Sequence, residues 1–287
     1  MKPDSRTTTF AVLGHPVAHS LSPAMHNASL RALDLNAVYL AYDVAPQNVA
    51  TVIAGMAALG FGGTNITIPL KHAAHEAVAQ LAPCARRLGV VNTVAYHNGT
   101  TTGYNTDGVG LLADLAEQFS IRPAGLKVLI LGCGGAGRAA ALTLAAEGAA
   151  LISLANRSVE RARTVADDLA ADEACRSKIT VLASENEAWA VAAREADLIV
   201  QCTSSGMNAA DAPLLSASAF RRGQYFYDLV YTSPRTPTML AAESAGARCA
   251  NGLGMLLHQG AASFRIWTGL DADLAAMRGA LEEALKS

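Results

Sequence analysis

Two groups of residues in this sequence have the types and spacing to do chemistry. The first is a glycine-rich turn, Gly132-Cys133-Gly134-Gly135-Ala136-Gly137, set between the apolar run Lys127 to Leu131 and the alanine-rich stretch Arg138 to Glu147. Strand, G-x-G-x-x-G and helix in that order suit a bound dinucleotide. Gly132 permits the tight turn, Gly134 leaves room for a pyrophosphate, and Gly137 lets the helix pack close to the strand. Free N–H groups at the helix start then face the phosphates, alongside Gly135 and Ala136. A second strand, Ala150 to Ala155, ends in Asn156-Arg157-Ser158, with Arg161 one turn further on. NAD-binding domains usually carry an Asp or Glu at this place. Two guanidinium groups without a carboxylate suit a 2′-phosphate, so the expected cofactor is NADP. The bland alternative is a tight turn with no ligand, followed by solvated arginines that oppose the helix dipole.

The second group precedes that turn. Polar residues gather in short segments at strand ends: Gly14 to Pro23, with Ser20 and Ser22 flanking one leucine; Asn65 to Lys71, with Thr67; Val90 to Thr93, with Asn92; and Gly103 to Asp107. Hydroxyl, amide, ammonium and carboxylate groups converging on one cleft suit a small polyhydroxylated acid. Each also has a structural alternative. Lys71 reads alone as a solvated residue in the first turn of a helix, and Ser22 before Pro23 as an N-cap.

Alternating strands and helices must position these groups. Apolar runs predict strands near Phe10–Leu13, Val38–Val44, Gly63–Ile68 and Val90–Tyr96, with helices near Pro23–Leu33, Gln47–Leu59 and Lys71–Gln80. Val109–Phe119 predicts a helix leading into the glycine turn. Further strands are expected at Leu198–Cys202, Tyr225–Leu229 and Arg248–Ala250, and two closing helices near Gly254–Trp267 and Asp273–Lys286. Such a chain is a two-domain α/β protein with a substrate cleft between its domains.

Composition agrees with this class and excludes others. The chain has 287 residues, 51% of them apolar and 16% charged, enough for two domains with buried parallel sheet. A net charge of −2 gives no electrostatic case for nucleic acid or an anionic membrane. No apolar run reaches the length of a membrane span, and the first ten residues lack a signal-peptide core, so the expected compartment is the cytoplasm. The five cysteines form no C-x-x-C, and the histidines make no H-E-x-x-H, so no disulfide framework and no metal site are expected. No heptad seam or apolar patch chooses between monomer and homodimer.

In order along the chain stand HSLSPAMHN, NITIPLK, GVVNT, GYNTDGVG, GCGGAGRAA, NRSVERA, TSSGM, DLVY and GMLLHQGA. Together these motifs, spanning Phe10 to Gly269, closely resemble the shikimate dehydrogenase family. The resemblance implies an open α/β N-terminal substrate domain, residues 1–107, completed by C-terminal helices in 252–287, and a Rossmann-type NADP-binding domain with a parallel sheet, residues 108–251. It implies reversible reduction of 3-dehydroshikimate to shikimate with NADPH, a step of aromatic amino-acid biosynthesis. Lys71 and Asp107 take the place of the catalytic pair, which is chemically apt: an alkoxide formed by hydride delivery needs a proton, and an ammonium can donate it. By the same resemblance Ser20 and Ser22 hold the substrate carboxylate, and Thr67, Asn92, Asp107 and Gln259 bind ring hydroxyls, with Tyr231 closing over them. Gly132, Gly134, Gly135 and Ala136 line the pyrophosphate, and Asn156, Arg157, Ser158 and Arg161 surround the 2′-phosphate. Thr203, Met207, Gly252 and Met255 lie near the nicotinamide. Gln201 departs from the pattern, where an asparagine is common. Two alternatives stand: a quinate/shikimate dehydrogenase with relaxed substrate or NAD use, and a catalytically silent NADP-binding regulatory module.

Overall fold

The structure is a computed structural model and describes residues 4–208 and 210–286. The chain folds as two compact α/β units. One runs to Gly110 and resumes at Leu256; the other is Leu111–Met255.

The first unit is built on strands β1 (Thr8–Gly14), β2 (Ala37–Asp43), β3 (Gly63–Ile66), β4 (Gln80–Leu81), β5 (Thr93–His97) and β6 (Thr100–Tyr104). They form one sheet in the order β2-β1-β3-β5-β6-β4. β1 pairs in parallel with β2 and β3, whereas β5 runs antiparallel to both β3 and β6. The reversal at β5–β6 is made by Asn98-Gly99, with φ of 49° and 75°. Both values lie in the left-handed region that a two-residue hairpin of the matching twist requires, and asparagine followed by glycine tolerates it best. Because β5 reverses the direction and β6 restores it, the end of β3, the start of β5 and the end of β6 lie along one edge.

Helices Ser22–Ala32, Val49–Ala58, Lys71–Ala77 and Pro83–Leu88 connect these strands. The helix expected over Lys71–Gln80 is shorter, since Gln80 and Leu81 pair with β6 as β4. The strand expected from Val90 begins at Thr93. Val91 instead spends its N–H on the Lys71 carbonyl at 3.0 Å, which ties the segment before β5 to the helix start. The unit is completed by the chain's last two helices, Leu253–Thr268, which enters it at Leu256, and Leu274–Ala284. Leu13, Ile53, Ile66, Leu70, Val91 and Val94 belong to one apolar core cluster of this unit. Nearby, His26 stacks on Tyr39 with ring centroids 4.3 Å apart. Burial pushes this imidazole down to about 3, so His26 packs as a neutral ring.

The second unit is a six-stranded, wholly parallel sheet of β7 (Lys127–Leu131), β8 (Leu151–Ala155), β9 (Lys178–Val181), β10 (Leu198–Gln201), β11 (Tyr225–Asp228) and β12 (Arg248–Asn251), in the order β12-β11-β10-β7-β8-β9. Its central strands read KVLIL, LISLA and LIVQ, the continuous apolar runs of a sheet covered on both faces. Helices Gly135–Ala146, Val159–Ala171, Asn186–Glu195 and Pro237–Ser244 provide the cover. Leu129, Leu131, Trp189, Ile199, Phe226 and Met239 lie in one core cluster. Strand order reverses between β7 and β10, and the connections after those two strands open the crevice where such sheets bind ligands.

The turn after β7 is tightly packed at Gly132 and Gly137. A Cβ added at Gly137 would lie 1.8 Å from the Gly132 carbonyl oxygen, so the helix can approach the turn only with glycine there. Gly137→Ala is therefore expected to cost about 1–3 kcal/mol of stability by overpacking. A lowered urea midpoint in that variant checks this; an unchanged midpoint would mean that the turn relaxes freely.

Candidate active site

In the first unit, the strand ends on one edge carry a connected set of polar side chains. Lys71 opens the first turn of its helix five residues beyond β3, and Asp107 opens the helix Asp107–Phe119 after β6. Lys71 Nζ donates to Asp107 Oδ2 at 2.6 Å, with side-chain exposures of 28% and 15%. The pair thus stays reachable by a ligand while partly shielded from water. Asn92, just ahead of β5, donates through Nδ2 to Asp107 Oδ1 at 2.9 Å and to Thr106 Oγ1 at 2.9 Å. Its amide orientation is fixed by the backbone, because the Thr106 N–H donates to Asn92 Oδ1 at 2.9 Å. A peptide N–H can only donate, so the nitrogen side of the amide must face the carboxylate. Asn105 Oδ1 accepts from the Asp107 N–H at 3.0 Å, which satisfies a free donor at the helix start. Gln259, on the helix Leu253–Thr268, reaches the same group with Oε1 3.4 Å from Asn92 Nδ2 and from Thr106 Oγ1.

Other residues singled out in the sequence lie apart from this network. Thr67 is half-buried beyond β3, and its hydroxyl makes no bond to the Lys71–Asp107 pair. Ser20 Oγ accepts from the Ser22 N–H at 3.3 Å. Ser22 is not the N-cap that its place before Pro23 suggests. It already lies within the helix, Leu21 occupies the cap position in a helical conformation, and no side chain caps the end. The Ser22 hydroxyl faces the phenol of Tyr39, which donates to Asn65 Oδ1 at 2.8 Å.

The network has further members, of which sequence reasoning passed over Thr93, Thr106 and Ser263. Asn65 Nδ2 lies 3.1 Å from the Asn92 carbonyl oxygen, 3.2 Å from Thr93 Oγ1 and 3.0 Å from Ser263 Oγ. Thr93, Thr106 and Ser263 are all buried. Thr93 and Thr106 stood inside recognised motifs, so their position was the available signal. Ser263 carried none, being one small residue in an apolar helix.

In the second unit, a cavity of about 710 Å³ is lined by Gly132, Gly134, Asn156, Arg157, Arg161 and Thr203, among others. A Cβ on Gly134 or Gly135 would meet nothing within 4 Å, and these two glycines and Ala136 are exposed, so the backbone at the helix start is open to a ligand. Asn156 braces the turn: Oδ1 accepts from the Cys133 N–H at 3.1 Å, and Nδ2 donates to the Ser158 carbonyl at 2.9 Å. Arg157 and Arg161 are exposed and enter no ion pair among the described residues. Open backbone donors and two uncommitted guanidinium groups fit a dinucleotide carrying an extra phosphate. One carboxylate does belong to this turn, contrary to the sequence reading. Ser158 Oγ donates to Glu160 Oε2 at 3.1 Å, and Glu160's own backbone N–H together with that hydroxyl holds its carboxyl below the usual range.

After β10, the buried Gln201 organises its loop. Its Oε1 accepts from the Thr203 N–H at 2.9 Å and hydroxyl at 2.8 Å, and its Nε2 donates to the Ser205 carbonyl at 2.8 Å. The longer side chain in an asparagine's usual place thus spans the turn. Thr203 is half-buried and Met207 exposed. After β11, Asp228 Oδ1 accepts from the Val230 N–H at 3.0 Å and Oδ2 from the Thr236 hydroxyl at 2.7 Å, which clamps the segment holding Tyr231. Burial raises the Tyr231 phenol above its ordinary range. Gly252 follows β12 with its N–H directed at the Val230 carbonyl at 3.4 Å, and Met255 lies half-buried one helical turn on.

A parallel sheet with an open glycine turn at its switch point, together with a unit bearing a lysine–carboxylate pair, defines a two-unit α/β protein of the dinucleotide-binding class. Three family models match in sequence: the shikimate dehydrogenase substrate binding domain over residues 12–94, shikimate / quinate 5-dehydrogenase over 114–235, and the shikimate 5'-dehydrogenase C-terminal domain over 252–282. The chain is 43% identical over 285 residues to shikimate dehydrogenase (NADP(+)) of Methanopyrus kandleri, covering 99% of this chain and 98% of that one. Among solved structures, it is similar to shikimate 5-dehydrogenase of Thermus thermophilus in complex with NADP(H) and shikimate, with 37% identity, a TM-score of 0.86, and coverage of 97% of this chain and 100% of that one. It is also similar to the Listeria monocytogenes enzyme in complex with shikimate and NAD, with 31% identity, a TM-score of 0.91 and 98% coverage of both chains. The chain belongs to the shikimate dehydrogenase family.

Asp228 gives a pH-dependent readout of the clamp. Burial pushes its carboxyl up to about 6 from an ordinary 3.8, against the pull of its two hydrogen bonds. As pH rises from about 4 to about 6, the unfolded chain releases this proton before the folded one. The group's contribution to stability is therefore full in acid and falls by on the order of 3 kcal/mol through that window. Asp228→Asn should abolish this component, so the variant's urea midpoint gains on the parent's between pH 4 and pH 7. A pH-independent difference would mean that the buried carboxyl is not raised.

Proposed function

We propose that this protein catalyses the reversible NADP-dependent reduction of 3-dehydroshikimate to shikimate. The observation that carries this reading is the 2.6 Å Lys71–Asp107 pair, whose carboxylate is steered by a backbone-oriented amide. NADP, when bound, exchanges a hydride with the substrate carbon. Lys71 Nζ donates a proton to the substrate oxygen in the reducing direction and takes it back in the oxidising one. Asp107 holds the ammonium by Oδ2, while Asn92 occupies Oδ1 and keeps the carboxylate from rotating away.

The substrate is held by side chains of the first unit. Ser20 and Ser22 take its carboxylate; Thr67, Asn92, Asp107 and Gln259 take its ring hydroxyls. Tyr231, Thr203, Met207, Gly252 and Met255 belong to the nicotinamide end of the second unit. There the helix start from Gly134 to Ala136, with Gly132 before it, receives the pyrophosphate, and Asn156, Arg157, Ser158 and Arg161 receive the 2′-phosphate.

Initial rates of oxidation of shikimate and of quinate, each with NADP⁺ and with NAD⁺, test this reading. Turnover of shikimate with NADP⁺, well above the other three combinations, is the expected result. Comparable turnover of quinate with NAD⁺ would place the protein among quinate/shikimate dehydrogenases, and no turnover at all would leave a silent binding module. Lys71→Ala should lower kcat by about 10²–10⁴-fold, the usual contribution of a general acid–base group, with NADP⁺ affinity unchanged. Arg157→Ala should raise KM for NADP⁺ about tenfold to a hundredfold, the equivalent of one charge-assisted hydrogen bond, and leave KM for NAD⁺ unmoved.

A further inference from the structure

We infer that Ser263, on the helix Leu253–Thr268, is a positioning residue for the Lys71–Asp107 pair, acting through a closed ring of hydrogen bonds; the role rests on the function proposed above. The ring has four members. Asn92 Nδ2 lies 2.9 Å from Thr106 Oγ1, Thr106 Oγ1 lies 3.2 Å from Ser263 Oγ, Ser263 Oγ lies 2.8 Å from Thr93 Oγ1, and Thr93 Oγ1 lies 2.8 Å from Asn92 Oδ1.

Proton counting sets the direction of the ring. Asn92 is oriented by the Thr106 N–H, so its Nδ2 donates to Thr106 and its Oδ1 accepts from Thr93. Each hydroxyl has one proton to give. Thr93 has spent its proton on Asn92, so the 2.8 Å contact with Ser263 needs the serine's proton. Thr106 supplies the remaining contact, to Ser263 at 3.2 Å, the shortest of its three acceptors, the others being Asn92 Oδ1 at 3.3 Å and Gln259 Oε1 at 3.4 Å. Every link then carries one proton and all run the same way round, an arrangement in which each bond polarises the next. The competing use of the Ser263 proton is the Gln259 carbonyl at 3.0 Å, one turn back along the helix. That use would set two oxygen lone pairs against each other at Thr93, or withdraw the Thr93 proton from Asn92.

Ser263 is the one ring member that comes from far along the chain. The others lie at residues 92, 93 and 106, at the strand ends that bear the pair. Asn65 Nδ2 at 3.0 Å braces Ser263 from the β3 side, with its own amide oriented by the Tyr39 hydroxyl. Ser263 and Thr93 are wholly buried, so water cannot stand in for a missing partner. Without the serine hydroxyl, Thr106 and Thr93 each lose a partner, and the Asn92 amide is freer to swing away from Asp107 Oδ1.

Ser263→Ala removes a single buried oxygen, a change the fold should survive. It is expected to lower kcat for shikimate oxidation about tenfold, in line with a small misplacement of the reacting groups, while KM changes much less. The cycle with Thr106→Val separates positioning from general packing: the double variant should lose no more kcat than Thr106→Val alone, because both break one ring. A kcat for Ser263→Ala within about twofold of the parent, or losses that multiply in the double variant, would overturn the proposal. The ring is also read without turnover, by hydrogen exchange of the Asn92 side-chain amide in ¹⁵N spectra. The amide should be protected in the parent and exchange at least about tenfold faster in Ser263→Ala; equal rates would refute the ring. If the parent protein fails to oxidise shikimate, the proposed function falls, and the amide exchange still decides the ring.

Discussion

The Thr106 N–H, pointed at Asn92 Oδ1, decides the polarity of everything around it. An asparagine amide can sit either way round with nearly the same shape, and only its partners distinguish the two. Here a backbone donor removes the choice. The carboxamide must then present N–H groups to Asp107, and Asp107 must direct its other oxygen to Lys71. A side-chain donor in place of that peptide N–H could rotate, and the arrangement would have two settings instead of one. The geometry of the Lys71–Asp107 pair thus traces back to a peptide plane just beyond the end of β6, held in register because Thr93 pairs with Tyr104.

The second unit uses backbone in a different way. The glycine turn leaves peptide N–H groups uncommitted so that a ligand can take them, and side chains brace the loops from behind. Asn156 ties the turn to the end of β8, Gln201 spans the loop after β10, and Asp228 clamps the loop after β11. Three strands of this sheet, β8, β10 and β11, therefore end in a residue, at the last position or one beyond it, whose polar side chain is spent on bracing a connection. Loops built in this manner are rigid without being buried, which lowers the ordering cost of binding a long, flexible ligand.

Much of the architecture was legible in the sequence because parallel strands covered on both faces are continuous apolar runs, and the second unit has few exceptions. The first unit was harder. β6 reads TTTGY, polar enough to pass for loop, although Asn98-Gly99 before it is a strong hairpin signal. Missing β6 also hid the reason that Asn92 and Asp107 share one edge, namely that the antiparallel pair turns the chain back to it. Helix ends misled in a similar way. Lys71–Ala77 stops early because Gln80 is captured by β6, a tertiary pairing that no local pattern announces. Ser263 lay beyond reach altogether: a serine among apolar residues on a helix does not reveal which buried hydroxyls it will meet. Glu160 was visible, but its proximity to Ser158 depends on rotamers at the helix start.

The same hairpin has a consequence for how the chain can be altered. Residues 98 and 99 stand exposed at the end of the β5–β6 pair away from Asn92 and Asp107. Closing a longer loop there costs little entropy, since the penalty grows only with the logarithm of its length. The five paired positions from Thr93–Tyr104 to His97–Thr100 separate that tip from the polar network around Asn92. Lengthened or cut open at the hairpin, the chain would keep Asn92 and Asp107 in place, which makes this tip a natural seam for grafting a reporter or for giving the polypeptide new ends.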